Sequence, residues 1–208
     1  MSEPFFSIIA AYYQGVSDDQ TLGRFVSCLQ QQSFQDFEVL IYHDGPLQHE
    51  VSCPYPVHAT AERQNVWGHN LRQLGLQSAR GRYVLHTNVD NLYEADAFAR
   101  VFARLQQGDS QILITRLRMM GLNYTPPTAT TRGRIWYDRP RDYSKSVVLT
   151  GNPPVYGNID LMQLVASKQI WDRYGWFSTV EQADGLIYPR LCKENTYACT
   201  DIVIGRHF

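Results

Sequence analysis

The chain has 208 residues, 44% hydrophobic and 12% aromatic, which suffices for one sizeable core and is short for two, so a single domain over 1–208 is expected. Its 19 basic and 20 acidic residues are interspersed and leave a formal charge of -1. That balance excludes a general attraction to nucleic acid or to anionic lipid, and any anion binding has to be local.

Phe5-Phe6-Ser7-Ile8-Ile9-Ala10-Ala11 is a compact apolar run that reads as a strand buried on both faces. Asp18 and Asp19 then precede Leu22, Phe25, Val26 and Leu29, whose spacing lays one apolar stripe along a helix with acids at its positive end. Phe37 to Tyr42 reads as a second strand, stopped by His43-Asp44-Gly45-Pro46. A short strand near Val57, a helix from about Asn65 to Ser78, a strand at Tyr83 to His86 and a helix carrying Phe98, Val101, Phe102 and Leu105 continue the alternation. This order predicts an α/β fold with helices on both faces of a mostly parallel sheet. Ile112 to Ile114 is a further strand, and the stretch from Thr125 to Pro154, rich in Pro, Thr, Arg and Tyr, is expected as a mobile excursion or hairpin. A strand over Leu161 to Ala166, helices over Lys168 to Tyr174 and Ala183 to Lys193, and a closing strand at Ala198 to Ile204 complete the reading.

Cys28, Cys53, Cys192 and Cys199 have no zinc-like spacing, and no stretch approaches the roughly 20 apolar residues of a membrane span. A soluble chain in a reducing, cytoplasmic compartment is expected, with a Cys192–Cys199 disulfide as the alternative.

In open α/β sheets, ligands bind beyond the carboxyl ends of the strands. Residues suited to chemistry follow several strands here. Asn88-Val89-Asp90-Asn91 sets a carboxylate between amides, a pattern that can hold Mg²⁺ or Mn²⁺ and through it a diphosphate; equally, Asp90 can cap the helix starting near Glu94. Asp44 fits ordinary turn chemistry, or it can accept a hydrogen bond from a base edge while Tyr12 stacks on the base; Tyr12 also fits the core. Asp184 opens a helix, where an acid favours the dipole, or it acts as a general base. His207, after the last strand, is a possible metal neighbour. The absence of GxSxG and GxxxxGK[ST] argues against serine hydrolases and P-loop NTPases.

Ser7-Ile8-Ile9-Ala10-Ala11-Tyr12-Tyr13, Leu29 through Val39 with its Gln32-Ser33-Phe34-Gln35-Asp36-Phe37-Glu38, Asp44-Gly45, Leu71-Arg72-Gln73-Leu74-Gly75, Ala79 through Tyr83 and Asn88-Val89-Asp90 come in an order that resembles the GT-A glycosyltransferases of family 2. Gly175-Trp176-Phe177 and Ala183-Asp184-Gly185 through Leu191 extend the likeness more thinly. The resemblance implies a single GT-A, Rossmann-like domain, with a nucleotide-sugar-binding half over about 1–105 and an acceptor half over about 106–208. It implies an inverting hexosyltransferase that uses a UDP-sugar, such as UDP-glucose or a similar hexose donor, and a Mn²⁺ or Mg²⁺ ion. The acceptor would be a glycan, lipid-linked or other hydroxyl. Ala10, Tyr12, Asp44, Arg72, Asn88 and Asp90 would bind the donor, with Tyr12 on uracil and Arg72 near the diphosphate. Asp90 and His207 would hold the metal, and Asp184 would be the base. Val89 stands where the family has an acid that reaches the ribose, His43 replaces the first acid of its "D-D-G-S", and Tyr13 replaces Asn. Two other readings stay open: a non-catalytic nucleotide-sugar-binding module and a nucleotidyltransferase.

Overall fold

A computed structural model describes residues 3–108, 110–131 and 133–208. The apolar runs at the start of the chain form β1 (Phe6–Tyr12), β2 (Phe37–His43), β3 (Val57–Ala59) and β4 (Tyr83–Asn88), all parallel and ordered β3-β2-β1-β4. Every residue of β1 is buried. Its side chains alternate between two cores, as strand geometry requires. Phe6, Ile8, Ala10 and Tyr12 meet the apolar stripe Leu22, Phe25, Val26 and Leu29 of α1 (Asp19–Gln30) and the Phe98, Val101 and Leu105 of α3 (Ala97–Gln106). Ile9 and Val84 face the other way, onto α2 (His69–Ser78), α4 (Lys168–Tyr174) and α5 (Asp184–Glu194) through Leu76, Ile170, Trp171, Ile187 and Leu191. Each such Leu, Ile or Phe contributes about 1.5–3 kcal/mol by its burial.

α1 starts as its sequence demands. The Asp18 carboxylate caps it, accepting from the Thr21 N–H at 2.8 Å. α2 begins at His69 rather than near Asn65, because Asn65, Trp67 and Gly68 all have positive φ (54°, 50° and 73°) and cannot continue a right-handed helix. At Gly68 a Cβ would come within 2.6 Å of Ala11 Cβ, so glycine lets this turn press against β1.

The second half adds β5 (Leu92–Tyr93), β6 (Ile112–Met120), β9 (Ser146–Leu149), β10 (Leu164–Ser167) and β11 (Tyr197–His207), giving one sheet ordered β3-β2-β1-β4-β10-β6-β11-β5 with β9 on β6. β6 and β11 share the direction of the first four strands, whereas β10, β9 and β5 run against them. The result is a mixed, mostly parallel GT-A-like sheet covered by helices on both faces. β5 is too short for a sequence signal, and the expected strand at Leu161 starts as a 3-10 turn over Leu161–Gln163 before β10. Within the Thr125–Pro154 stretch, β8 (Arg134–Trp136) pairs with β7 (Asn123–Thr125) as a hairpin, and β9 joins the main sheet. All four cysteines are free, so the Cys192–Cys199 alternative is not realised. Among the described residues no helix is long and apolar enough to cross a membrane.

Candidate active site

The register of the parallel strands decides what meets at the sheet edge. Tyr12 lies opposite His43, and Ala11 lies opposite both Tyr42 and Asn88. Backbone bonds continue the alignment past the strand ends, from Asp44 N–H to the Tyr12 carbonyl at 3.0 Å and from Val89 N–H to the Ala11 carbonyl at 3.1 Å. Because β10 runs antiparallel to β4, its entry turn, with Asp160 at the head, arrives at the same edge. β11 ends there with His207, opposite Met119 of β6.

Three adjoining clefts follow this edge. The first, about 360 Å³, is lined by Ala11, Tyr12, Asp44, Trp67, Asn88 and Asp90, among others. The second, about 380 Å³, shares Asp90, Val16 and Ser17 with the first and adds Arg24, Arg141 and Tyr143. The third, about 690 Å³, shares Arg141 with the second and has Asp160, Asp184 and His207 in its lining, beside Trp136 and Tyr137.

In the first cleft, both oxygens of Asp44 accept backbone N–H groups, from Gln64 at 3.0 Å and Asn65 at 2.9 Å, so Asp44 pins the loop that leads to Trp67. His43 accepts from the Gln14 N–H through Nε2 at 3.0 Å, which makes Nδ1 the donor to the Gly45 carbonyl at 2.8 Å. The residue that stands in place of an acid therefore ties two loops together. Tyr12 lines the cleft but is only 2% exposed, with its ring edge-on to His43. The aromatic face open to a ligand is that of Trp67, 60% exposed and held in the left-handed region while Arg72 donates to its carbonyl at 2.8 Å. Ala10 departs from expectation: strand alternation turns its side chain into the core with α1 and α3, and Ala11 lines the cleft instead.

Val89 is 1% exposed and packs in that core while its edge lines the second cleft beside Asp90; in the first cleft the residue beside Asp90 is Asn88. Asn88 in turn accepts from Arg72 at 2.5 Å. Arg72 does not line the clefts. It lies behind them, 2% exposed and 5.4 Å over the Trp176 ring. Burial lowers its pKa, while Tyr188, Asp184, Asp160 and Asp90 favour its charge.

Asp90 does not cap a helix; α3 starts after Asp96, with β5 between. Among the described residues its Oδ1 is buried without a hydrogen-bond partner. Burial raises the Asp90 carboxyl above its ordinary value, although His207, Asp90's own backbone, Arg72 and Arg141 favour the charged form. Asp184 forms the first turn of α5 and opens onto the third cleft. Burial, and next the charge of Asp160, push its carboxyl up to about 7, against the opposing pull of Arg72 and of backbone N–H groups. His207 Nδ1 bonds Asp160 Oδ1 at 3.0 Å. Burial opposes charging His207, but Asp160 and Asp90 outweigh it and raise its pKa.

Asp160 is thus a site residue that sequence reasoning missed. Its one signal, an acid three residues before Gln163, is that of a helix cap, and Asp160 N–H does bond Gln163 Oε1 at 2.9 Å. Trp67 and Arg141 carried no motif at all.

A profile of Glycosyl transferase family 2 matches residues 7–166, most of the chain, and the chain belongs to this family. Among solved structures it is similar to S. aureus TarS, with 14% identity and a TM-score of 0.71 over 97% of this chain and 36% of that one. It is also similar to TarS 1–349 in complex with UDP-GlcNAc (13% identity, TM-score 0.67, 97% of this chain and 58% of that one). A third likeness is to mannosyltransferase PcManGT from Pyrobaculum calidifontis in complex with GDP-Man and Mn²⁺ (13% identity, TM-score 0.63, 100% of this chain and 57% of that one). At such identities the likeness shows the GT-A fold, and this chain spans well under two thirds of the length of each structure. No curated protein sequence matches the chain.

Proposed function

We propose that the chain transfers a hexose from a UDP-sugar to an acceptor hydroxyl with inversion, the donor lying along the first two clefts and the acceptor entering the third. One observation carries this reading: Asp184, its carboxyl raised to about 7, opens onto a cleft joined through Arg141 to the one that holds Asp90. A base with that pKa is about half ionised at neutral pH while still holding a proton well. Asp184 would take the proton of the acceptor hydroxyl as its oxygen bonds the anomeric carbon, and the bond from that carbon to the diphosphate oxygen breaks with its electron pair on the diphosphate.

On the donor side, Trp67 offers the ring on which uracil can stack, in place of the enclosed Tyr12. Asp44 keeps lone pairs for the base edge beyond those used on Gln64 and Asn65. Asn88 and Arg72 act together, Arg72 fixing Asn88 and lending positive potential from behind. The nucleotide-sugar complexes of the similar structures support this type of donor.

Among the described residues no cluster of three or more His, Cys, Asp or Glu side chains is arranged to hold a metal. The unpartnered Asp90 Oδ1, with His207 near enough to feel its charge, nevertheless fits a Mg²⁺ or Mn²⁺ site completed by diphosphate oxygens and water. Such an ion supplies charge stabilisation to the leaving diphosphate.

Calorimetry with UDP, GDP and UDP-hexoses, with and without Mn²⁺ and on Asp90→Ala and Asp44→Ala, tests the donor site. Metal-enhanced binding of a UDP-sugar that both substitutions weaken is expected. Product analysis tests the reaction: released UDP marks sugar transfer, whereas released pyrophosphate, or binding without turnover, would overturn the assignment.

A further inference from the structure

The wall of the third cleft carries chemistry that deprotonating a hydroxyl does not require. Trp136, Tyr137 and Tyr156 are 37%, 48% and 41% exposed there. Among the described residues three guanidinium groups share that wall. Arg134 lies 5.3 Å over the Trp136 ring, and Arg139 and Arg141 lie 5.7 and 5.4 Å over the Tyr137 ring. Among the described residues none of these three arginines is within ion-pair distance of a carboxylate, whereas Arg80, Arg190 and Arg206 each have an acidic partner. Arg141 donates to the Met120 carbonyl at 3.1 Å, and its Nε is enclosed without a partner.

A guanidinium over an aromatic ring can turn its edge to a ligand; Arg139 donates once to Tyr137 Oη and Arg141 once each to Tyr143 Oη and the Met120 carbonyl, and the remaining N–H groups match the two oxygens of a carboxylate or phosphate. The aromatic surface that stays exposed on Trp136, Tyr137 and Tyr156 suits the apolar face of a sugar ring. The carboxylates of the same cleft, Asp160 and Asp184, repel anions, so a bound anion belongs at the arginine wall while a neutral hydroxyl meets Asp184.

We propose that the acceptor is an anionic glycan, its sugar units lying on Trp136 and Tyr137 and its carboxylate or phosphate groups held by Arg134, Arg139 and Arg141. This rests on the reading of the third cleft as the acceptor side. The test is calorimetric titration of the full chain at low salt with three probes: tetragalacturonate, a glycerol phosphate tetramer and the neutral maltotetraose. One anionic probe should bind at least about tenfold tighter than maltotetraose, and whether that is the carboxylate or the phosphate probe identifies the charge recognised. The margin should vanish in Arg134→Ala/Arg139→Ala, two exposed positions whose truncation leaves the core intact, and persist in Arg173→Ala, an exposed arginine on α4. Equal affinity for all three probes, a margin that survives the double substitution, or no binding of any probe would overturn the proposal. UDP titration of the same samples reads the donor site separately: UDP binding without an anionic preference sinks the acceptor inference alone, and loss of UDP binding in the native chain sinks the glycosyltransferase reading beneath it.

Discussion

Replacing Asp184 by Asn should make the protein more stable and nearly inactive at the same time. The carboxyl sits at about 7 in the folded chain, whereas an unfolded aspartate titrates near 3.9. Between those values the folded state holds a proton that the unfolded state has lost, so stability falls as pH rises through the window and is flat outside it. A gap of about 3 pH units is worth about 4 kcal/mol; because Asp184 opens onto a cleft where solvent and neighbouring charges respond to its ionisation, about half of that, roughly 2 kcal/mol, is expected. For a chain of this length that is about 4–8 °C in Tm. Asp184→Asn should therefore melt about 4–8 °C higher than the native protein at about pH 8, and the advantage should shrink to about a third at about pH 5. Turnover should fall by about 10²-fold or more while UDP binding is retained. Scanning calorimetry at the two pH values and a UDP-release assay give the readout. A Tm difference that does not change with pH would refute the electrostatic argument, and a fully active variant would refute the role as base.

Trp67→Ala should weaken UDP binding by about tenfold or more, since base–aromatic stacking is worth about 1–3 kcal/mol, with no loss of fold because the ring is exposed; unchanged affinity in calorimetry rules the stacking role out. Arg72→Met removes a charge that lowers the Asp184 pKa, so the rising limb of the pH–rate profile should move to higher pH, and a limb that stays put or moves down contradicts the geometry. Glu38→Gln should cost about 1–2 kcal/mol in urea unfolding at neutral pH, because Glu38 accepts from Ser7 Oγ at 2.6 Å and Arg80 Nη2 at 2.7 Å. Burial raises the Glu38 pKa, but those bonds outweigh it and hold it low; its contribution is present above the ordinary glutamate value and lost as pH falls through the folded one, so the deficit should narrow in acid. At Gly157, which has φ of 78°, a Cβ would collide with the Gly133 carbonyl, so Gly157→Ala should displace the β7–β8 hairpin and lower transfer more than UDP binding.

The parts of the fold legible in the sequence are those where one physical pattern dominates. Leu22, Phe25, Val26 and Leu29 predict α1 because a 3.6-residue period leaves them one side to bury, and all four are buried. Lys168 to Tyr174 is a helix with the expected limits. The reading fails where two demands share one residue. Asn65 to Gly68 looks like a helix start by composition, yet the chain there is bent into positive φ so that Trp67 stands in the cleft and its carbonyl meets Arg72. Val89 looks like a lost ligand from its motif, yet its side chain packs in the core and only its edge reaches the second cleft. Asp160 was hidden because its nearest sequence pattern is a cap and its neighbours in the cleft, Asp184 and His207, lie far along the chain. Only the antiparallel course of β10 brings them together.

Arg72 helps these carboxylates share one edge. Asp90, Asp160 and Asp184 all favour its charge, and it in turn opposes the rise that burial imposes on the Asp90 and Asp184 carboxyls. The other bases packed near it do not help: burial, and after it Arg72 itself, push His69 down to about 4 and His86 well below its usual value, so both are neutral near pH 7. Arg72 is consequently a buried positive charge behind the clefts, with His207 and Arg141 as the others that bear on Asp90, and its two fixed bonds are to Trp67 and Asn88, which line the first cleft. A shift of the Trp67 loop that freed one of those N–H groups would change the field at Asp184 without any contact between the two sites. With the donor in the first cleft and Asp184 as base, as proposed, donor binding and base strength would be linked through this guanidinium. The Asp184 pKa measured with saturating UDP should therefore differ from its value in the free protein, and in Arg72→Met that difference should change in size, leaving only what the charge of the nucleotide itself produces.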